Sequence, residues 1–215
     1  ILRRDSSGDY TETLLAGADY EDAAALFVDV DGDGDLDLSV ASGGSDQVSD
    51  TLWYQDRLYR NAGGGQWELQ VAELPDLRSS ASVVVGSDYD RDGDVDLFVG
   101  GRLRAQKYPQ SPRSYLLEYT AGSLRDRTGS RAPELARGGR VTAARWTDFD
   151  DDGWTDLLVV GEWMPIRFFR NVEAEGGRRQ LVDWTARSGL VATGGWWNSI
   201  VGADFDEDGD TDYVL

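Results

Sequence analysis

The pattern D-x-D-x-D-G-x-x-D occurs four times in this chain: DVDGDGDLD (29–37), DYDRDGDVD (88–96), DFDDDGWTD (148–156) and DFDEDGDTD (204–212). Successive copies start 59, 60 and 56 residues apart. A repeat of this length is one supersecondary unit, and such units bury their apolar faces by stacking on one another. The fold must therefore set four acidic turns in equivalent surroundings.

Apolar runs of strand length flank each turn. AALFV (24–28), ASVVVGS (81–87), VTAARWT (141–147) and NSIVGA (198–203) precede it, and LSVASGG, LFVGG, LLVVGEW and YVL follow it. They are β-branched and aromatic runs of strand length, bounded by glycine. LYRNAGGG (58–65) and FFRNVEAEGG (168–177) supply a third run, and WELQVAEL (67–74) and LVDWTA (181–186) a fourth. SYLLEYTAGS (114–123) keeps the third run but has Glu118 where the others have arginine.

Each unit thus predicts four antiparallel strands, the size of a β-propeller blade. The opening ILRRDSSGDYTETLL aligns with LYRNAGGGQWELQVA, Arg3 falling on Arg60, so the chain opens in a third strand and stops in a second. The expectation is an all-β propeller or propeller segment of three whole blades (18–77, 78–137, 138–192) and two half-blades (1–17, 193–215). No amphipathic helix stands out, and ADYEDAAA (18–25) offers at most one turn.

Composition narrows the chemistry. Histidine and cysteine are both absent, which removes Ser-His triads and nearly all zinc or copper sites and leaves oxygen as the only metal donor. The net charge of −19 is concentrated: the four nonapeptides hold 21 of 40 acidic residues and one arginine, and the remainder sums to +1. With no basic tract, and Lys107 the sole lysine, a nucleic-acid partner is not expected. No apolar run reaches about 18 residues, the length of a membrane-spanning helix. Ile1 opens without a basic segment and an apolar run, so the sequence reads as a mature or excised segment.

The spacing of the acids points to a cation. Alternate side chains of such a loop converge, and the invariant glycine at position 6 permits the sharp turn. Position 1 is Asp29, Asp88, Asp148 or Asp204; position 3 is Asp31, Asp90, Asp150 or Asp206. Position 5 is Asp33, Asp92, Asp152 or Asp208, and position 9 is Asp37, Asp96, Asp156 or Asp212. Position 7 (Asp35, Asp94, Trp154, Asp210) is expected to offer its main-chain carbonyl, which the tryptophan allows. Position 12 is Val40, Val99, Val159 or Leu215 and the flanks are strands, which excludes an EF-hand. Two unit charges about 4 Å apart repel by about 4 kcal/mol at an effective dielectric near 20, so a divalent ion is favoured over an empty loop. Calcium suits such a loop better than magnesium, which demands rigid octahedral geometry. Four ions are expected, serving to staple strands.

These loops between apolar strands resemble FG-GAP or VCBS repeats, as in the integrin α-subunit propeller. GGRLRAQKYPQSPRSYLLE (100–118), VVGEWMPIRFFRN (159–171) and GWWNSIVGADFDEDGDTDYVL (195–215) are similar to bacterial VCBS proteins that carry an ASPIC/UnbV domain. The Phe-Gly and Gly-Ala-Pro elements of the integrin form are missing, so integrin-type ligand binding does not carry over. The resemblance implies an extracellular, periplasmic or cell-surface calcium-binding propeller used in adhesion or ligand binding, with calcium at the aspartates of all four loops.

The non-repeated segments are candidates for partner contact. GRLRAQKYPQSPR (101–113) brings Arg102, Arg104, Lys107, Tyr108 and Arg113 to a loop, which reads equally as a blade-to-blade packing segment. EWMP (162–165) and GGWWN (194–198) add Trp163, Trp196 and Trp197, able to stack on sugars or anchor a protein, although at strand ends such residues are more often core. The expected function is a non-catalytic scaffold for a protein or glycan ligand. The alternative is a polysaccharide-active propeller enzyme with an Asp/Glu/Tyr/Arg site at the central channel. The half-blade edges are expected to pair within the chain, between two chains or with missing blades.

Overall fold

The computed structural model describes residues 1–17, 19–48 and 51–215. A hairpin of β1 (Leu2–Arg4) and β2 (Tyr10–Glu12) comes first. Three meandering sheets follow. The first contains β3 (Asp22–Val28), β4 (Asp37–Ser42), β5 (Arg57–Asn61) and β6 (Trp67–Leu69). The second contains β7 (Ser80–Ser87), β8 (Asp96–Leu103), β9 (Tyr115–Thr120) and β10 (Ser123–Asp126). A short helix, α1 (Thr128–Arg131), leads to the third, with β11 (Arg140–Thr147), β12 (Asp156–Met164), β13 (Arg167–Glu173) and β14 (Arg179–Asp183). After β15 (Gly195–Trp196), a hairpin of β16 (Val201–Ala203) and β17 (Asp212–Val214) carries the fourth acidic loop. Each four-stranded path follows chain order and is antiparallel throughout, and β15 adds to the end of β12.

This is an all-β, blade-type propeller arrangement. The segment 18–25 divides between a turn and β3, apart from Ala18, which lies outside the described residues. Pairing with β4 takes Asp22–Ala25 into the ladder, so a one-turn helix does not form there.

Each core layer lies between two sheets. One layer joins Val28, Leu58 and Ala41 of the first sheet to Val84, Leu97, Val99 and Leu117 of the second. The next joins Phe98 and Leu116 of the second to Val141, Leu157, Val159 and Phe169 of the third. Along β8, Leu97 and Val99 face one neighbour and Phe98 the other. Side chains alternate along a strand, so a blade between two others has no solvent face, and the continuous apolar run at 97–99 follows. Each such side chain contributes about 1.5–3 kcal/mol on burial.

The first strands β3, β7 and β11 pack side by side. Each is irregular at the same place, where Ala23, Ser82 and Thr142 stand out of register with the second strand. The bulges serve the joints between blades. Ser82 Oγ donates to the Val141 carbonyl at 2.6 Å, and Thr142 Oγ1 to the Trp197 carbonyl at 2.7 Å. These three residues and Asn198 line one cavity of about 480 Å3. The acidic loops join first to second strands at one end of the sheets. The second-to-third connections therefore lie at the other end.

Candidate metal sites

The four acidic loops adopt one backbone course. The position 6 glycines Gly34, Gly93, Gly153 and Gly209 all have positive φ, between 85° and 100°. Their amides donate to the position 1 carboxylates Asp29, Asp88, Asp148 and Asp204 at 2.8–3.2 Å. One amide further on, Asp35, Asp94, Trp154 and Asp210 bond the position 5 carboxylates at 2.8–3.0 Å. Position 4 is left-handed too: Gly32, then Arg91, Asp151 and Glu207, with φ from 56° to 72°. Only the first copy shows this in its sequence.

Position 9 opens the second strand and is clamped from the third. Asp37 Oδ1 accepts the Asn61 amide at 2.9 Å, Asp96 Oδ1 the Tyr119 amide at 3.0 Å, and Asp156 Oδ1 the Asn171 amide at 2.7 Å. All three aspartates are buried. This aims the second carboxylate oxygen back into the loop.

Four carboxylate trios result, each with one oxygen per residue within 4.8 Å of the others. In the second, third and fourth loops they come from positions 1, 3 and 9: Asp88, Asp90 and Asp96; Asp148, Asp150 and Asp156; Asp204, Asp206 and Asp212. In the first loop the trio is Asp29, Asp31 and Asp33, at positions 1, 3 and 5. The position 7 side chains stand outside all four trios.

The second and third trios fit a hard cation. Asp88 Oδ1, Asp96 Oδ2 and Asp148 Oδ1 are buried with no hydrogen-bond partner. Burial, with Asp90 adding to it, pushes the Asp96 carboxyl up to about 9. Burial brings Asp156 to about 7 against the pull of the Asn171 and Phe149 amides. Asp90 and Asp150 are raised by burial first and then by Asp92 and Asp152. Buried carboxylates facing one another without a counter-charge are what a divalent ion reverses.

The repeat is thus one of geometry as well as of letters, and the FG-GAP-like repeat family matches residues 29–99 and 148–215, about two thirds of the chain. The chain belongs to the FG-GAP-like repeat family. No curated protein matches it. The stretch between the two matched segments, 100–147, holds the outer half of the second FG-GAP blade and the first strand of the third.

That blade departs from its neighbours where Glu118 stands. Asn61 and Asn171, whose amides clamp position 9, follow Arg60 and Arg170, and Tyr119 follows Glu118. Arg60 Nη1 reaches Asp37 Oδ2 at 2.5 Å and Asp31 Oδ2 at 3.0 Å, drawing Asp37 out of the first trio. Arg170 lies 2.5 Å from Asp150 and 2.8 Å from Asp152. Glu118 instead accepts from Tyr89 at 2.6 Å and Arg131 at 2.9 Å. The Arg-Asn motif was visible in the sequence, but its cross-strand register was not.

Neighbouring loops also touch. Arg91, at position 4 of the second loop, bonds the Gly153 carbonyl and lies 4.0 Å over the Trp154 ring, whose other partner is Arg179 at 3.8 Å. Asp151, at position 4 of the third loop, is the main cause of the raised Asp210 carboxyl of the fourth.

The partner candidates gather at the opposite end of the FG-GAP blades. Trp163 and Trp196 meet edge to face at 5.0 Å, and Trp163 donates its indole N–H to Tyr108 Oη at 3.3 Å. All three rings are exposed. Trp163 also holds a left-handed φ of 57°, unusual for so large a residue. Arg102 pairs with the buried Glu162 at 2.8 Å, and Lys107 is exposed beside Tyr108. Arg104 and Arg113 line a separate cavity of about 230 Å3, and Arg113 bonds Asp126. Trp197 stands apart, half-buried and donating to the Thr193 carbonyl.

Proposed function

We propose that this chain is a calcium-stapled FG-GAP scaffold, non-catalytic, that binds a protein or glycan outside the cell, in the periplasm or at the cell surface. The carrying observation is the partnerless buried oxygens of Asp88, Asp96 and Asp148 inside convergent all-oxygen trios. Calcium would be held by those trios, with its charge replacing the protons that Asp96 and Asp156 otherwise keep. When bound, the ion supplies fixed positive charge that ties the first and second strands of a blade together. Calcium at about millimolar levels outside cells suits loops this open to solvent. The blade units proposed are 18–77, 78–137 and 138–192. The stretches at 100–118, 159–171 and 195–215 favour kinship with bacterial VCBS proteins bearing ASPIC/UnbV domains.

The proposed contact surface is the Tyr108, Trp163 and Trp196 cluster. Its exposed rings offer stacking faces on a rigid scaffold, remote from the acidic loops. A catalytic reading would need free acids at the inner strands. Two acids line the cavity there, Glu21 and Asp22, and Asp22 is paired with Arg57.

The deciding experiment is thermal unfolding of metal-stripped protein with calcium added back. Ligand that binds the native state alone raises the midpoint by mass action, by about 2.7 kcal/mol of stability at a hundred times its dissociation constant. A rise of several degrees is expected. An unchanged midpoint at 10-millimolar-scale calcium overturns the calcium reading, and turnover of a polysaccharide overturns the non-catalytic one.

A further inference from the structure

We infer that the loops fill with cation in a set order among the three complete blades, the second loop first and the first loop last. The inference rests on the metal reading above and concerns what sets the loops apart. The cause is the residue just before the position 9 clamp. Arg60 presents Nη1 to Asp37 and Asp31, so a guanidinium already pairs with two of the first loop's five acids. It is also fixed from behind. Its Nε and Nη2 donate to Glu73 Oε2 at 2.9 and 2.7 Å, and Nη2 donates to Tyr119 Oη at 3.0 Å. Swinging Arg60 away would break an ion pair and an inter-blade contact.

The second loop has the opposite arrangement. Glu118 occupies the matching place and is held by Tyr89 Oη, Arg131 and Arg127 Nε, the last at 3.3 Å, so that among the described residues no guanidinium enters the trio. Asp96 Oδ2 is left buried and partnerless beside Asp88 and Asp90. The one arginine within that loop, Arg91, points away to Gly153 and Trp154. The third loop is intermediate: Arg170 engages Asp150 and Asp152, but Asp156 stays with Asp148 and Asp150.

A divalent ion about 5 Å from a fixed guanidinium loses about tenfold in affinity even at the dielectric of water, and more in a half-buried site. The first and second loops should therefore differ by at least about tenfold.

Crystals of the whole chain grown with a lanthanide as calcium probe, first at one equivalent and then at saturation, test this through anomalous scattering. Among the first three loops, one equivalent should give the strongest peak in the second and the weakest in the first. A first-loop peak equal to or above the second overturns the order while leaving the metal reading intact. No peak in any loop at saturation overturns the metal reading itself. Arg60→Met should raise first-loop occupancy at one equivalent toward that of the second loop. Unchanged first-loop occupancy in that variant counts against the arginine as the cause. Should that variant fail to fold, the titration of the unaltered chain still decides.

Discussion

The Tyr119 amide donates to Asp96 Oδ1 at 3.0 Å, and by fixing that oxygen it leaves Oδ2 buried without a partner. Asp96→Asn keeps the acceptor without the need for a proton. At pH 8 the metal-stripped parent folds only by holding on Asp96 a proton that the unfolded chain has released, so the variant should be more stable by about 1–3 kcal/mol in urea unfolding. In calcium the ranking should reverse. A variant less stable under both conditions would show that Asp96 serves the fold alone.

The pH dependence of the metal-stripped chain follows from the same groups. Asp96 (about 9), Asp156 (about 7) and Asp56, which burial pushes up to about 8, all lie above their ordinary 3.8. The folded state therefore binds protons that the unfolded state has released. Stability is greatest near pH 4 and falls as pH rises through 7 to 9, the reverse of a salt-bridged carboxylate. Melting points at pH 5, 7 and 9 should decline in that order. Calcium should remove the share due to Asp96 and Asp156, and Asp56→Asn should flatten the rest.

Trp154 lies between Arg91 of the second loop and Arg179 of its own blade. Trp154→Ala should cost about 1–3 kcal/mol, the sum of two cation–π contacts and lost burial. Arg91→Ala should cost less because the Arg179 stack survives. Urea unfolding of both variants checks the order, and equal costs would assign the effect to Arg91.

Asp151 and Asp210 repel across the third and fourth loops at the place where Arg91 attracts across the second and third. Asp151→Arg should raise the melting point, more at low salt than high, since the interaction is exposed and screened. A lower midpoint would show that Asp151 has a favourable role.

Trp163 and Trp196 are exposed, so their double replacement by alanine should leave the melting point nearly unchanged. Affinity electrophoresis against a polysaccharide panel and pull-down of surface proteins should both weaken if the cluster is the contact surface. Binding retained in full would move that surface elsewhere.

The four acidic loops made the blade architecture legible, because period, flanking strands and turn glycine all agree on it. Arg60 was visible as part of an Arg-Asn motif, but its entry into the first loop depends on the strand register that brings the Asn61 amide to the Asp37 carboxylate, 24 residues away. Position 4 hid its left-handed backbone because three of the four copies lack glycine there. Tyr108 and Trp163 are 55 residues apart, and Trp196 reaches them through its pairing opposite Glu162. Local patterns carry turn chemistry well. They say little about which distant side chains a ladder brings into one place.

The alternation along β8 sets what change the molecule can absorb. With Leu97 and Val99 turned to one neighbour and Phe98 to the other, inserting a single residue before Leu97 would exchange the two packing faces and spoil both. Inserting a whole unit of about sixty residues would present each neighbour with the face it already meets. Growth by duplication is thus cheap for this architecture, whereas a slip of one residue is ruinous.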